Sequence, residues 1–262
     1  MEKGVILIME GFIDIHTHII PDLDDGSSNM NQTINMLRIA YREGIRAMIV
    51  TPHNQRGRLK ITNMQVKIRL NELQEYIKSS STPIELYMGS EIYYSHDTIQ
   101  LLRENQLATL ADSRYVLIEF PPDAEYSYIQ NGLKEILEAG YLPILAHAER
   151  YKNISCDIER YYELTCLGVY IQINAMTITG DNGRPQQIIA NELLRKDYVH
   201  FVATDCHSDG IRAPRLSDCV DTIRRKYGES TVVRLLIENP SKIILKEYDI
   251  KIHKKVKWLE QA

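Results

Sequence analysis

The sequence has few cysteines, few aromatic residues apart from tyrosine, and no apolar run long enough to cross a membrane. Its four cysteines, in 262 residues, show no Cys-x-x-Cys spacing, which is typical of reduced thiols rather than a disulfide framework. The apolar stretch at residues 5–9 is too short for a secretory signal or a bilayer span. A net charge of −4 offers no basic footprint for nucleic acid. We therefore expect a cytoplasmic protein with no integral membrane segment and no nucleic-acid partner.

Short apolar runs rich in β-branched residues alternate with stretches of helical period along the chain. The strand candidates are residues 12–16, 46–52, 85–89, 115–120, 142–147, 169–174 and 200–204. The amphipathic helix candidates are residues 31–43, 63–78, 129–139, 158–167, 185–195 and 216–227. This alternation predicts an α/β fold in which helices cover parallel strands. No low-complexity linker interrupts it, so we expect one domain.

Histidines and carboxylates follow nearly every predicted strand at its C-terminal end. They are His16, His18, Asp24, Asp25, His53, Glu91, Glu119, His147, Asp205 and His207. The sixth strand breaks the pattern because it ends in Asn174. In a barrel these strand ends converge on one mouth, whereas in an open sheet they would spread along an edge. The pattern therefore favours a barrel.

The residue types in this pattern predict a metal centre. His16 and His18 are two residues apart on an extended segment, so both imidazoles can point the same way. Burying so many titratable groups at one mouth without cations would cost several kcal/mol each. Imidazole and carboxylate ligands without thiolate favour Mn, Fe or Zn. The number of donors exceeds one tetrahedral site, so we expect several ions, with Glu91 and Glu119 as natural bridges.

Seven motifs, in this order, resemble a known group of proteins. They read IDIHTHIIP at 13–21, DDG at 24–26, TPH at 51–53, GSEI at 89–92, LIEF at 117–120, AHAERY at 146–151 and ATDCH at 203–207. The set resembles the polymerase-and-histidinol-phosphatase (PHP) superfamily. It looks most like the bacterial manganese-dependent tyrosine phosphatases of capsule and exopolysaccharide operons. The resemblance runs from about residue 12 to residue 245.

The resemblance implies a distorted (β/α)₇, TIM-like barrel of the PHP fold over residues 12–248, followed by a short basic tail at 249–262. It implies two or three metal ions, with Mn²⁺ first and Fe or Zn as alternatives. The implied reaction is hydrolysis of phosphotyrosine in the tail of a bacterial tyrosine kinase. Carried over by motif, the metal ligands are His16, His18, Asp25, His53, Glu91, Glu119, His147, Asp205 and His207. Arg150 and Arg212 become phosphate clamps, a role that suits the bidentate guanidinium.

One departure from the family pattern concerns the residue after His53. Relatives often carry a second histidine there, where this chain has Asn54. The basic segment that follows could meet clustered phosphates through Arg56, Arg58 and Lys60. Among the remaining histidines, His200 and His253 are expected to be structural or solvated, and His96 is a weak candidate for the pocket rim.

Three alternatives remain open at this point. Residues 206–212 read Cys-x₅-Arg, which resembles the signature of cysteine-dependent tyrosine phosphatases, with Cys206 as nucleophile. The intervening loop has one glycine and Ala213-Pro214 follows, which disfavours that mechanism. The chain could also be a small-molecule phosphatase, for example one acting on histidinol phosphate, or a metal-binding module without catalysis, because substrate choice depends on loops around the mouth.

Overall fold

Parallel strands form the centre of the protein in the computed structural model, which describes residues 11–54, 61–78, 80 and 82–252. Within them the strands are β1 Phe12–Thr17, β2 Ile45–Val50, β3 His53–Asn54, β4 Glu85–Met88, β5 Glu91–Tyr93, β6 Tyr115–Glu119, β7 Leu142–Leu145, β8 Tyr170–Asn174 and β9 Phe201–Ala203. One sheet has the order β1-β2-β4, and the other has the order β3-β5-β6-β7-β8-β9. Every strand pair is parallel.

The two sheets are parts of one curled wall. β3 continues β2 after two residues, and β5 continues β4 after two residues, so the described residues contribute seven strand positions. The last position returns to the first through a bridge between Thr17 and Cys206. There His18 N donates to Cys206 O at 2.9 Å and Asp205 N donates to His16 O at 3.0 Å. The predicted α/β barrel with seven strand positions is confirmed.

The second and third strands differ in detail from the prediction. We predicted unbroken strands at 46–52 and 85–89, and placed Glu91 after the third strand. Instead, the second strand breaks at Thr51 and Pro52, where proline has no N–H for the ladder. The third breaks at Gly89, where an added Cβ would lie 2.8 Å from Leu110 and 2.9 Å from Ile49. Glu91 therefore begins a strand of its own rather than following one.

Helices cover the outside of this wall. Within the described residues they are α1 Met30–Arg42, α2 Asn63–Lys78, α3 Thr98–Arg103, α4 Tyr126–Glu138, α5 Lys152–Ser155, α6 Glu159–Leu167, α7 Ala175–Thr179, α8 Arg184–Arg195, α9 Ser217–Tyr227, α10 Glu229–Val233 and α11 Asn239–Ile244. The six predicted helices are all present, with ends shifted by three residues or fewer. Five further helices were not predicted, because four to six residues are too few to show a hydrophobic period in the sequence. They are α3, α5, α7, α10 and α11. No helix in the described part of the chain has both the length and the apolar character needed to cross a bilayer.

Strand alternation divides the buried residues between two clusters. On β8, Ile171 and Ile173 belong to the cluster shared with the helices, whereas Tyr170 belongs to the cluster inside the wall. Gln172 has the same parity as Tyr170 and is fully buried. The same alternation applies on β5 and β6, where Ile92 and Ile118 pack in the cluster shared with the helices. Their neighbours Glu91 and Glu119 consequently face the interior.

A buried carboxylate holds the first and last strand positions together. Asp14 in β1 is fully buried. Its Oδ1 accepts a hydrogen bond from Thr204 N at 3.1 Å, and its Oδ2 accepts one from Thr204 Oγ1 at 2.5 Å. Burial raises the pKa of Asp14 to about 6, although its hydrogen bonds with Thr204 act in the opposite direction. Asp14 therefore adds two side-chain hydrogen bonds to the closure of the wall beside His16.

We predict that Asp14→Ala lowers the free energy of unfolding by about 3 kcal/mol, because it leaves buried Thr204 donors unpaired. Urea denaturation at neutral pH measures this difference. Asp123→Ala, at an exposed loop position, is the matched control and should change stability by no more than about 0.5 kcal/mol. Equal stability of both variants would show that Asp14 does not hold the closure.

Candidate metal centre

The structure brings all nine predicted ligands together, and Glu91 lies at their centre. Glu91 is fully buried. Its Oε2 lies 3.1 Å from His16 Nε2, 3.2 Å from His18 Nε2 and 2.9 Å from His53 Nδ1. Its Oε1 accepts a hydrogen bond from His147 Nε2 at 2.8 Å. Four imidazoles from three strand positions thus converge on one carboxylate.

A first group of donors has the spacing of ligands around a single ion. His16 Nε2 and His18 Nε2 are 3.2 Å apart, and each is about as far from Glu91 Oε2. Asp205 Oδ1 lies 3.6 Å from both nitrogens. Ligand atoms about 2.1 Å from one ion, at angles of about 90–110°, are separated by about 3.0–3.4 Å. The observed distances between donor atoms in this group match this spacing or exceed it slightly.

Two further groups share residues with the first. His53 Nδ1 lies 3.2 Å from Glu119 Oε1, so His53, Glu91 and Glu119 form a second group. Asp25 Oδ1 lies 3.4 Å from His53 Nε2 and 3.4 Å from His207 Nε2. With His18, these residues form the third group. Shared members mean that the donors suit a cluster of ions better than a single ion.

The electrostatics of the site favour a cation. Burial alone would lower the pKa values of His18 and His53, but neighbouring carboxylates outweigh it. Asp24 and Glu91 raise the pKa of His18 to about 9, and Glu119 and Glu91 raise that of His53 to about 11. Among the described residues, Glu91 Oε2 has no aligned hydrogen-bond donor despite three imidazole nitrogens nearby. Converging donor atoms with one orphaned carboxylate oxygen fit a metal ion.

Asp24, which the sequence placed in the donor pattern but not among the ligands, orients the His18 imidazole and holds the backbone of His53. His18 Nδ1 donates to Asp24 Oδ2 at 2.7 Å, so its Nε2 faces Glu91. The same oxygen accepts a hydrogen bond from His53 N at 3.0 Å. Gly26 completes the turn, because a Cβ there would lie 2.2 Å from His18 O. The Asp-Asp-Gly motif thus combines an orienting carboxylate, a predicted ligand and a position that only glycine can occupy.

The two arginines lie beside the carboxylate of Asp205. Arg150 Nη2 donates to Asp205 Oδ2 at 2.9 Å, and Arg212 Nη2 lies 3.0 Å from Asp205 Oδ1. Arg212 Nη2 also donates to the backbone oxygen of Asp205 at 3.2 Å. Their side chains are 36% and 37% exposed, whereas Asp205 is buried. Both guanidiniums therefore sit between the predicted ligands and the solvent.

Cys206 does not have the surroundings of a reactive thiol. Cys206 is fully buried, and burial raises the pKa of its thiol, so the structure gives no support to a thiolate nucleophile.

His200 is buried and its Nδ1 accepts a hydrogen bond from Ile171 N at 3.1 Å, which is a structural role as predicted. His96 is exposed and pairs with Asp97 at 3.2 Å. Asn54 Nδ2 donates to Ile61 O at 2.7 Å. Residues 55–60 and 253–262, with the basic segment and His253, lie outside the described residues.

Polar residues of β8 and of the turn after β7 were also missed. Gln172 and Asn174 are buried beside the site, and Asn174 Nδ2 donates to Asp205 Oδ2 at 2.8 Å. Glu149 is buried, and its Oε1 accepts hydrogen bonds from Asn174 N and Thr177 Oγ1. The available signal was the alternation of amides with isoleucines at residues 171–174. Because an amide is not a common metal ligand, the sequence did not predict a place in the site for Gln172 or Asn174.

Comparison with known proteins gives a consistent family. The model of the family described as "Capsular polysaccharide synthesis, CpsB/CapC" matches residues 12–245. Tyrosine-protein phosphatase CpsB of Streptococcus pneumoniae is 34% identical over 238 residues, which cover 89% of this chain and 98% of that protein. Tyrosine-protein phosphatase YwqE of Bacillus subtilis is 32% identical over 227 residues, covering 87% and 89%.

A solved structure agrees with the sequence comparisons. It comes from crystal structures of YwqE from Bacillus subtilis and CpsB from Streptococcus pneumoniae, described as unique metal-dependent tyrosine phosphatases. Its TM-score with this chain is 0.86 at 30% identity, covering 92% of this chain and 97% of that one. The match supports the PHP-like barrel expected from the motifs. The chain belongs to the CpsB/CapC family of capsular polysaccharide synthesis.

Proposed function

We propose that this protein is a metal-dependent protein-tyrosine phosphatase. The observation that carries the proposal is the buried Glu91 carboxylate, with imidazole nitrogens of His16, His18, His53 and His147 2.8–3.2 Å from its oxygens. The family relationship supports the reaction, because the relatives compared above are tyrosine phosphatases. The proposed ions are two or three Mn²⁺, with Fe or Zn as alternatives, because imidazoles and carboxylates dominate the donor set.

The proposed ligands form three groups, each of which would hold one ion. His16, His18, Glu91 and Asp205 would hold one ion, and Glu91, Glu119 and His147 a second. His53 and His207, with the 68% exposed Asp25, would complete a third position nearest the solvent, so that each imidazole serves one ion. When bound, such ions neutralise phosphate charge and make water a stronger acid at neutral pH.

Arg150 and Arg212 are proposed to hold the phosphate. Asp205 accepts a hydrogen bond from Arg150 and forms an ion pair with Arg212, which keeps both guanidinium planes beside the predicted ligands. Each guanidinium has further N–H groups available for the oxygens of a phosphate. Since both are more than one-third exposed, an incoming phosphate can reach them from the mouth.

The charge states of the site favour an aryl ester. Neighbouring histidines and Arg150 hold the pKa values of Asp25, Glu91 and Asp205 below the usual range, although burial opposes this shift. These carboxylates are therefore ionised, and with the imidazoles of His18 and His53 bound to ions, none of these groups would donate a proton to a leaving group. Tyrosine leaves as a phenolate whose conjugate acid has a pKa of about 10, whereas serine leaves as a far more basic alkoxide. Phosphotyrosine consequently suits the site better than phosphoserine.

The proposed substrate is a phosphotyrosine-bearing protein tail, in particular that of a bacterial tyrosine kinase controlling capsule or exopolysaccharide synthesis. The family's description in capsular polysaccharide synthesis supports this choice of pathway. The predicted ligand Asp25 is 68% exposed, so a protein tail can approach the site from its side. We place the reaction in the cytoplasm and in one barrel domain over residues 12–248.

Neighbouring residues 206 and 207 allow a matched test of the metal mechanism. We predict that His207→Ala loses bound manganese and nearly all turnover of a phosphotyrosine peptide, because its imidazole faces Asp25 at 3.4 Å. Cys206→Ser should retain most activity, since the buried thiol packs in the cluster shared with the helices. Metal analysis and steady-state kinetics on both purified variants provide the data. An inactive Cys206→Ser protein with full metal content would restore the cysteine mechanism.

The phosphate clamp is tested by truncating Arg212. We predict that Arg212→Ala keeps its metal but lowers kcat/KM by about 30- to 1,000-fold, which corresponds to about 2–4 kcal/mol for one charge-assisted contact. Arg215→Ala removes the same charge from an exposed position three residues away and is the control. Loss of metal from Arg212→Ala would instead assign the arginine to support of Asp205.

A further inference from the structure

The strand that supplies no predicted ligand carries two buried amide side chains that contact three predicted ligands. Gln172 is fully buried and Asn174 is 1% exposed. Gln172 Oε1 accepts hydrogen bonds from His16 Nδ1 at 3.1 Å and from His147 N at 2.8 Å. Asn174 Nδ2 donates to Asp205 Oδ2 at 2.8 Å. The amides are joined by a bond from Gln172 Nε2 to Asn174 Oδ1 at 2.8 Å.

The direction of this chain of hydrogen bonds is fixed at both ends. The carboxylate of Asp205 can only accept, so the Asn174 amide must present its NH₂ group to it. Asn174 Oδ1 then accepts from the NH₂ group of Gln172. At the other end, the backbone N–H of His147 can only donate, so Gln172 must present its oxygen there. Reversing either amide would set donor against donor or acceptor against acceptor.

This direction also determines the tautomer of one imidazole. Because Gln172 Oε1 is an acceptor, His16 Nδ1 must carry its hydrogen. The Nε2 lone pair of the neutral ring is then directed to the side where Glu91 Oε2 lies at 3.1 Å and His18 Nε2 at 3.2 Å. A hydrogen bond to the non-ligating nitrogen is the usual way in which proteins orient a metal-binding histidine.

Two of the contacted ligands have backbone conformations that need support. His147 has φ of 32° and Asp205 has φ of 53°, in the left-handed region that non-glycine residues rarely adopt. Gln172 holds the N–H of the first, and Asn174 holds the side chain of the second. Such backbone strain persists where the surroundings over-determine it.

We propose that Gln172 and Asn174 are a positioning pair, which fixes the His16 ring, the His147 backbone and the Asp205 carboxylate for metal binding. The inference rests on the proposed function, because it requires these three residues to be ligands. The pair occupies positions 172 and 174 of β8, which face the interior together. The pair gives β8 a role in the site, although this strand ends in neither a histidine nor a carboxylate.

The experiment measures Mn²⁺ affinity in chelator-buffered titrations, read by electron paramagnetic resonance, on the full chain. Gln172→Leu should bind the ion nearest His16 about 10- to 100-fold more weakly. Asn174→Ala leaves Gln172 in place but frees its amide to turn, and should weaken binding by about threefold to tenfold.

Thr165→Val controls for a general loss of stability. Thr165 is fully buried on α6, and its Oγ1 donates to Tyr162 O at 2.8 Å, so the substitution removes one buried hydrogen bond of the helix layer. It should leave Mn²⁺ affinity unchanged while lowering the thermal midpoint.

Each contrary outcome has a distinct meaning. A parent protein that binds no Mn²⁺ would refute the proposed function. A parent that binds Mn²⁺, with Gln172→Leu or Asn174→Ala of equal affinity, would refute the positioning pair alone. Equal weakening by Thr165→Val would reduce the effect to stability and also refute the pair.

Discussion

The buried carboxylate of Glu91 imposes the strongest physical constraint on this structure. A carboxylate removed from water must be compensated, and four imidazoles within 3.2 Å of its oxygens provide that compensation. The same arrangement leaves Oε2 without an aligned donor among the described residues, although three ring nitrogens face it. Without a metal, the raised pKa values of His18 and His53 keep these rings protonated at neutral pH, and bound cations would take the place of those protons beside the carboxylate. A metal centre is the arrangement that satisfies the burial and the donor geometry together.

The barrel supplies this arrangement because parallel strands bring distant residues to one end. Register pairing sets His53 of β3 beside Glu91 of β5, so two ligands from neighbouring strands lie side by side. The return of the last strand position to β1 sets Asp205 and His207 beside His16 and His18. Asp14 secures that closure through Thr204. Fold stability and site geometry are therefore coupled where the ring of strands closes.

Much of this could be predicted from the sequence because the signals were periodic or chemically distinctive. Alternating strands and helices predicted covered parallel strands. Histidines and carboxylates at the strand ends predicted both the barrel and the candidate ligands, which the structure brings into contact. The interruption at Gly89 was not predictable, because it depends on the approach of Leu110 and Ile49 from other segments. The roles of Asp24, Gln172 and Asn174 were also hidden. Each of them orients a residue far along the chain or across the mouth, and a single sequence does not display such contacts.

The most direct test of the account is kcat/KM on three substrates, measured with metal-stripped and Mn²⁺-reconstituted protein. The substrates are a phosphotyrosine peptide, a phosphoserine peptide and histidinol phosphate. We expect the stripped protein to be inactive, and Mn²⁺ to restore hydrolysis with a preference of about tenfold or more for phosphotyrosine. Full activity after exhaustive chelation would contradict the metal mechanism. A preference for histidinol phosphate would contradict the tyrosine phosphatase assignment, and binding of Mn²⁺ without turnover would identify a non-catalytic module.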